Sequence, residues 1–397
     1  MAGAASPFGH EKSELIQQLE AAADERIAPN AKDVDKNSRF PQEALDVMKE
    51  LKILSSSLPT ELGGLGLKLP ELSEIASTLG RRCGASAMVF AMHESQIECM
   101  RFGSVGDPHF EGILRDFAEN QKLVASVTSE AGIGGNIRAS QTVAEADSDR
   151  VIFEKQSPTL SYAEYADGFL ITARRSEDAA QSDQVLVYSS KEDTELEKLG
   201  VWDMMGMRGT CSPPFKVSVD VPAANLIDVP FGLISTHRMV PWSHILWAST
   251  WEGIATSAFD KAATATRKKA KKQMAAGEPL GDPRLSDAYS TLQALRGLIY
   301  EFARVFDRQA EVANDYKAAE ETKVLIADAM SLKLNASMMA SAVAEQCLEI
   351  IGMPGYSEGA PASVSREVRD LMGARMMVSN DRLRKTGGEL LMMGAEV

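Results

Sequence analysis

The residues able to move protons or hold a cofactor are few and far apart. His93 lies in the apolar run MVFAMHESQ, and His244 lies in WSHILW. An imidazole held in an apolar helix is the residue type general acid–base chemistry uses, and His93 is the candidate catalytic group. VTSEAGIGGN at 127–136 follows a β-rich run, and its glycines let the chain turn sharply while presenting backbone N–H groups to an acceptor. TRKKAKKQ at 266–273 gathers five basic residues in eight at the end of a helical stretch, where they favour the helix dipole. Ser379-Asn380-Asp381 before RLRKTGGELLMM has the composition of a helix N-cap. Cys83, Cys99, Cys211 and Cys347 form no CxxC, and the five histidines form no HExxH pair, so no dedicated metal site is expected.

Composition narrows the class further. The chain has 397 residues, 44% hydrophobic and 25% charged, which is ordinary for a soluble globular protein of two or three subdomains. Its formal net charge of −14 repels phosphate backbones, so nucleic-acid binding is not expected. MAGAASPFGHEKSEL lacks an apolar core of signal-peptide length, and no apolar run approaches about 18 residues. A cytoplasmic protein with reduced thiols and no membrane span is expected.

Three segments must position these groups. Apolar residues recur at three and four from EKSELIQQLEAAADERIAPNAKD through RFPQEALDVMKELKIL and ASAMVFAMHESQIECMRFG, which predicts an all-α domain over 1–120. KLVASVTSE, RVIFEKQ, GFLITARR, QVLVYSS and FKVSVDV are short β-rich runs between polar turns, predicting an antiparallel β-sheet or barrel domain over 121–230. Long helical patterns then run from HILWASTWEG to EQCLEIIG and predict a four-helix bundle over 231–397. The fold class is α+β.

This order, with RFP at 39–41, PTELGGLG at 59–66, VTSEAGIGGN, GMRGTCS at 206–212, EIIGMPGY at 349–356 and VRD at 368–370, resembles the acyl-CoA dehydrogenase family of flavoproteins over nearly the whole chain. The resemblance implies bound FAD, with FMN as the other option. It places Ser129, Gly132 and Gly134 in the loop that binds the flavin ring and pyrophosphate, and Thr159 as the hydroxyl bonded to the ring. Gly352 and Gly355 fall in a loop over the adenosine part, and Arg267, with Lys269 competing, reaches the pyrophosphate of the neighbouring subunit. Asn380 takes the place of a hydroxyl residue that contacts flavin. Departures accompany these matches. Gly135 stands where a serine is usual, Glu349 where a glutamine is usual, and Ser157 where a tryptophan is common, leaving a space that Tyr162 or Tyr165 could fill. Arg208 is expected to pair with a neighbouring carboxylate.

The family's dehydrogenation needs a carboxylate base beside the flavin. The resemblance puts its two known positions at Val378 and Ser243, neither of which can serve. Asp381 would come into register only with a shift of three residues, and Glu252 lies nine residues along the helix from Ser243. Three readings remain open. One is an FAD-dependent oxidoreductase acting on the CH–CH group of an acyl thioester, working with an electron-transfer flavoprotein. The second is a monooxygenase on the same fold that takes reduced flavin from a reductase, with His93 assisting proton transfer. The third is a non-catalytic subunit of a hetero-oligomer. A small-molecule substrate, acyl-CoA in the family's usual case, and a homodimer or homotetramer are what the resemblance implies.

Overall fold

The computed structural model describes residues 13–134, 136–147, 149–276, 282–313 and 326–393. The first part is helical: α1 (Glu14–Ala22), α2 (Ala31–Asn37), α3 (Gln42–Glu50), α4 (Leu69–Gly80), α5 (Gly84–Gly103) and α6 (Pro108–Asn120). Local chemistry sets their ends. The Ser13 hydroxyl accepts the Ile16 N–H at the start of α1, and Asp107 accepts the His109 N–H ahead of Pro108 at the start of α6. α5 is buried almost all round, as its nearly uniform apolarity predicts.

The central part holds β1 (Val124–Val127), β2 (Glu145–Asp147), β3 (Arg150–Ser157), β4 (Gly168–Arg174), β5 (Gln184–Ser190), β6 (Thr194–Lys198), β7 (Phe215–Pro222) and β8 (Leu226–Ile227). They form two four-stranded sheets, ordered β1-β4-β5-β8 and β2-β3-β7-β6. The expectation of a wholly antiparallel domain is corrected at one seam, because β1 and β4 run parallel. Between them the chain passes through β2 and β3 of the other sheet, and this crossover brings β4 back alongside β1 in the same direction. β3 alternates strictly, so Val151, Phe153, Lys155 and Ser157 point inward.

The last part holds α7 (Phe231–Ile234), α8 (Val240–Ala276), α9 (Pro283–Val312), α10 (Ile326–Ile351), α11 (Met353–Tyr356), α12 (Ser365–Met372) and α13 (Asn380–Met392). Residues 317–325 of the third long helical pattern lie outside the described residues. α8 is the spine, packing on α4, α5, α9 and α10, and α13 lies on α10. Among the described residues no helix is long and apolar enough to cross a membrane.

The contact of α4 with α8 is closed by glycines. A Cβ at Gly80 would lie 2.5 Å from the Thr250 carbonyl oxygen, and one at Gly253 would collide with the Ser77 carbonyl. Both helix backbones are fixed by their own packing and cannot move apart cheaply. Gly253→Ala is expected to lower stability by about 1–3 kcal/mol, the usual cost of overpacking, measured by denaturant unfolding.

Candidate active site

Two connected chambers lie where the β domain meets α5, α8 and the segment after α12. The first, about 410 Å³, is bounded on the β side by Ser126, Thr128, Ser129, Thr159 and Ser161, and on the helical side by Met92, Gln96, Ser243, His244, Trp247 and Val378. The second, about 520 Å³, shares Met92, Thr159, Ser161 and Met377 with the first and continues between Met88, Met207, Trp251 and Met376. Asp370 is the only carboxylate among the described residues lining either chamber.

The β-side wall is built by hydrogen bonding. Ser129 Oγ lies 2.6 Å from Ser157 Oγ and donates to the Thr159 carbonyl at 2.7 Å, so the position where a tryptophan is common holds a small hydroxyl cluster. Glu130 fastens the glycine loop behind it. Its carboxylate accepts from the Ser140 and Thr142 hydroxyls and from the Gln141 and Thr142 N–H groups, and Lys155 lies 3.6 Å away. Burial opposes ionisation of Glu130, but Ser140, Lys155 and Thr142 outweigh it and hold its pKa low. Gly132 and Gly134 take φ of 86° and 59°, as the turn requires, and Arg382 donates to the Gly134 carbonyl at the chamber mouth beside Arg138. Gly135 lies outside the described residues. Tyr162 lines the chamber with its hydroxyl given to the Val124 carbonyl, whereas Tyr165 stacks on Phe40 with ring centres 4.1 Å apart.

The helical wall corrects two expectations. His93 is fully buried and works in the core: Nδ1 accepts the Val124 N–H at 3.1 Å, so the proton sits on Nε2 and is donated to the Leu54 carbonyl at 2.7 Å. Burial lowers its pKa to about 4, and both nitrogens are spent joining α5 to β1 and residue 54. The histidine that does line the chamber is His244. Its Nδ1 lies 3.0 Å from the Ala329 carbonyl and so carries the proton, which leaves Nε2 as a lone pair. Burial, then the charge of Lys333, lowers its pKa to about 4.

Asn380 is the second correction. It turns away from the chamber, taking the Lys333 ammonium on Oδ1 at 2.7 Å and giving Nδ2 to Ser337 Oγ at 3.0 Å. Lys333, fully buried, also donates to the Val378 carbonyl at 2.9 Å. Val378 itself has φ of 47°, a left-handed conformation that costs a β-branched residue about 1–2 kcal/mol. Ser379 precedes α13 without a side-chain capping bond. Ser243 turns its hydroxyl back to the Met239 carbonyl at 2.5 Å.

The remaining residues lie elsewhere. Arg267 is exposed on α8, Gly352 precedes α11 and Gly355 lies within it; none of them lines either chamber. Arg208 pairs with Asp203 at 3.3 Å and donates to the Asp35 carbonyl. Glu252 is buried against Arg296, Thr256 and Ser77. Two buried polar atoms on the helical wall have no partner, Trp247 Nε1 and Gln96 Oε1. Leaving each unpaired costs about 1–3 kcal/mol. Sequence alone gave no hint of them, since an indole and an amide in apolar helices read as core.

A wall of hydroxyls, a glycine loop and the neighbouring Arg138 and Arg382, suited to phosphate, fit a flavin. The class is a flavin-dependent oxidoreductase. Residues 9–105 match the model for the N-terminal domain of acyl-CoA dehydrogenases, and residues 232–378 match the model for their C-terminal domain. The mitochondrial short-chain specific acyl-CoA dehydrogenase of Homo sapiens is 26% identical over 90% of this chain and 84% of its own length. FMN-bound TdsC from Paenibacillus sp. A11-2 superposes with a TM-score of 0.83 at 16% identity, covering 97% of this chain and 98% of that one. Butyryl-CoA dehydrogenase from Megasphaera elsdenii does so with 0.80 at 19%, covering 96% and 99%. The chain belongs to the acyl-CoA dehydrogenase family.

The Lys333 clamp has a measurable signature. Burial lowers its pKa from 10.5 to about 8, so between those values the unfolded chain holds a proton that the folded chain has released. Stability from this group therefore rises with pH across that window and is flat below it. Lys333→Met is expected to abolish the rise, seen as unfolding midpoints in urea compared from about pH 7 to about pH 10.

Proposed function

We propose that this protein is a flavin-dependent oxygenating enzyme acting on an apolar small molecule. The observation that carries the reading is the absence, among the described residues, of any carboxylate lining the chamber of Ser129 and Thr159. Both family positions for a base are closed, Val378 by its side chain and its Lys333-held turn, and Ser243 by a hydroxyl already given to Met239. Removing a proton from carbon beside a thioester needs a base of matched pKa; the first chamber offers only a strongly acid-shifted imidazole, and Asp370, the one carboxylate lining the second among the described residues, is engaged by the Met207 N–H. Oxygenation makes no such demand: reduced flavin supplies two electrons, one oxygen atom enters the substrate and the other leaves as water. The chain's own residues bind and shield. Ser129, Thr159 and the glycine loop seat the ring system, Arg138 and Arg382 meet its phosphates, and the methionines of the second chamber exclude water around the substrate. TdsC, whose structure is also described as a dibenzothiophene monooxygenase, supports the reading through its fold.

Oxidation of an acyl thioester is the second reading, favoured by the likeness to a short-chain acyl-CoA dehydrogenase over 90% of the chain. The two differ in partner as well. A flavin reductase feeds the first, and an electron-transfer flavoprotein drains the second. FAD or FMN is the cofactor of this reading, and a homodimer or homotetramer its assembly, both supported by the likeness to the family.

Purified protein loaded with FAD or FMN is expected to be yellow and to keep that colour when mixed anaerobically with butyryl-CoA. Supplied with photoreduced FMN and air, it is expected to hydroxylate indole or oxidise dibenzothiophene, read by mass spectrometry. Bleaching by butyryl-CoA would transfer the protein to the second reading. Failure to retain either flavin would overturn both and leave a non-catalytic subunit.

A further inference from the structure

The two walls of the first chamber differ in how they meet their own hydrogen-bonding needs. On the β side Ser129, Ser157 and the Thr159 carbonyl satisfy one another. The helical side keeps three groups in reserve. Trp247 Nε1–H is buried and unpaired, and Gln96, only 4% exposed, has an unpaired Oε1. His244, 2% exposed, has its Nδ1–H fixed on the Ala329 carbonyl and its Nε2 lone pair uncommitted. His244 and Trp247 have ring centres 5.7 Å apart, and all three residues line the same chamber. They stand on α5 and α8, rigid buried helices, so the unpaired atoms cannot swing away to water.

We propose that Gln96, His244 and Trp247 form the recognition site for the polar end of the substrate, a neutral hydroxyl carried on an apolar body. His244 Nε2 or Gln96 Oε1 accepts the proton of that hydroxyl, while Trp247 Nε1–H donates to its lone pair. A group able only to accept leaves the two acceptors unpaired, and one able only to donate leaves the indole unpaired. An anion is disfavoured because two of the three protein groups offer lone pairs. Lys333, a buried cation, gives two of its three donors to Val378 and Asn380. The apolar body continues into the second chamber past Met92 and Met377 toward Trp251. This assignment rests on the reading that flavin lies on the opposite, hydroxyl-bearing wall.

Paired ligands test it. 4-Methylphenol and 4-methylanisole share one body, and in the second a methyl group replaces the donated proton. Calorimetric titration of the flavin-loaded protein is expected to show 4-methylphenol bound at least ten-fold more tightly. Trp247→Phe keeps a ring in place and is expected to weaken 4-methylphenol about ten-fold while moving 4-methylanisole less than two-fold. Gln96→Leu is expected to narrow the preference in the same direction. Equal binding of the two ligands, or a Trp247→Phe variant that folds with an unchanged melting profile and keeps the full preference, would overturn the assignment. Titration needs no turnover, so a yellow protein that fails to discriminate sinks this proposal alone. A colourless protein sinks the flavin reading, and its titrations still report the preference.

Discussion

The chambers are held where three parts of the chain are tied by two neighbouring carboxylates, Asp370 and Asp35. Asp370, on α12, accepts the Met207 N–H at 2.6 Å and so holds the loop that roofs the second chamber. Its neighbour Arg369 donates to both carboxylate oxygens of Asp35 on α2 and to the Met205 carbonyl. Arg208, in the same loop, donates to the Asp35 carbonyl. The N-terminal helices, the β-domain loop and the C-terminal helices thus meet within a few residues. Gly206 makes the contact close enough, since any side chain there would strike the Arg369 carbonyl. Burial raises Asp370 to about 6, against the pull of the Met207 N–H and Arg366. A buried carboxyl with one good donor is a marginal ion, which makes the junction depend on geometry more than on charge.

The electrostatics on the other side of the chamber are of the opposite sign. Where the family resemblance places a carboxylate, at Val378, the chain has a left-handed turn whose carbonyl accepts from a buried ammonium. Charge-assisted bonds of this kind are worth about 1.5–3 kcal/mol, enough to offset the strain of a β-branched residue with positive φ. The same ammonium works against protonation of His244. One lysine therefore fixes the turn and adds its charge to the burial that keeps the nearby imidazole neutral.

Much of this was legible in the sequence, but for unequal reasons. Periodicity and turn residues are local, so α5, α8 and the inward face of β3 could be read directly. The parallel seam of β1 and β4 could not, because strand direction depends on a crossover through a second sheet. β6, TELEK, carries charges at alternate positions and is mostly exposed, so it gave no apolar signal. The choice between His93 and His244 turned on helical phase. Both sit in apolar helices, and only packing shows that one faces β1 and the other the cavity. Asn380 read as a contact with cofactor because its neighbours matched, whereas the buried ammonium that claims it comes from α10. That lysine did leave a trace: Lys333 is the only charged residue between Asp328 and Glu345 in an otherwise apolar helix.

The division between the walls also says where selectivity can reside. Hydroxyls that satisfy one another present a fixed surface, and their geometry is set within the β domain by Glu130 and the glycine loop. Unpaired atoms on α5 and α8 are the opposite case, since their partners come from whatever occupies the chamber. Substitutions along the helical wall then change what is held without disturbing the β-side seat. The loss of a carboxylate at 378 and 243 fits that division, because it removes a reactive group from the helical wall and leaves the cofactor wall as built. A fold whose family is defined by one proton abstraction can in this way keep its binding architecture while its chemistry is set by a handful of side chains on two helices.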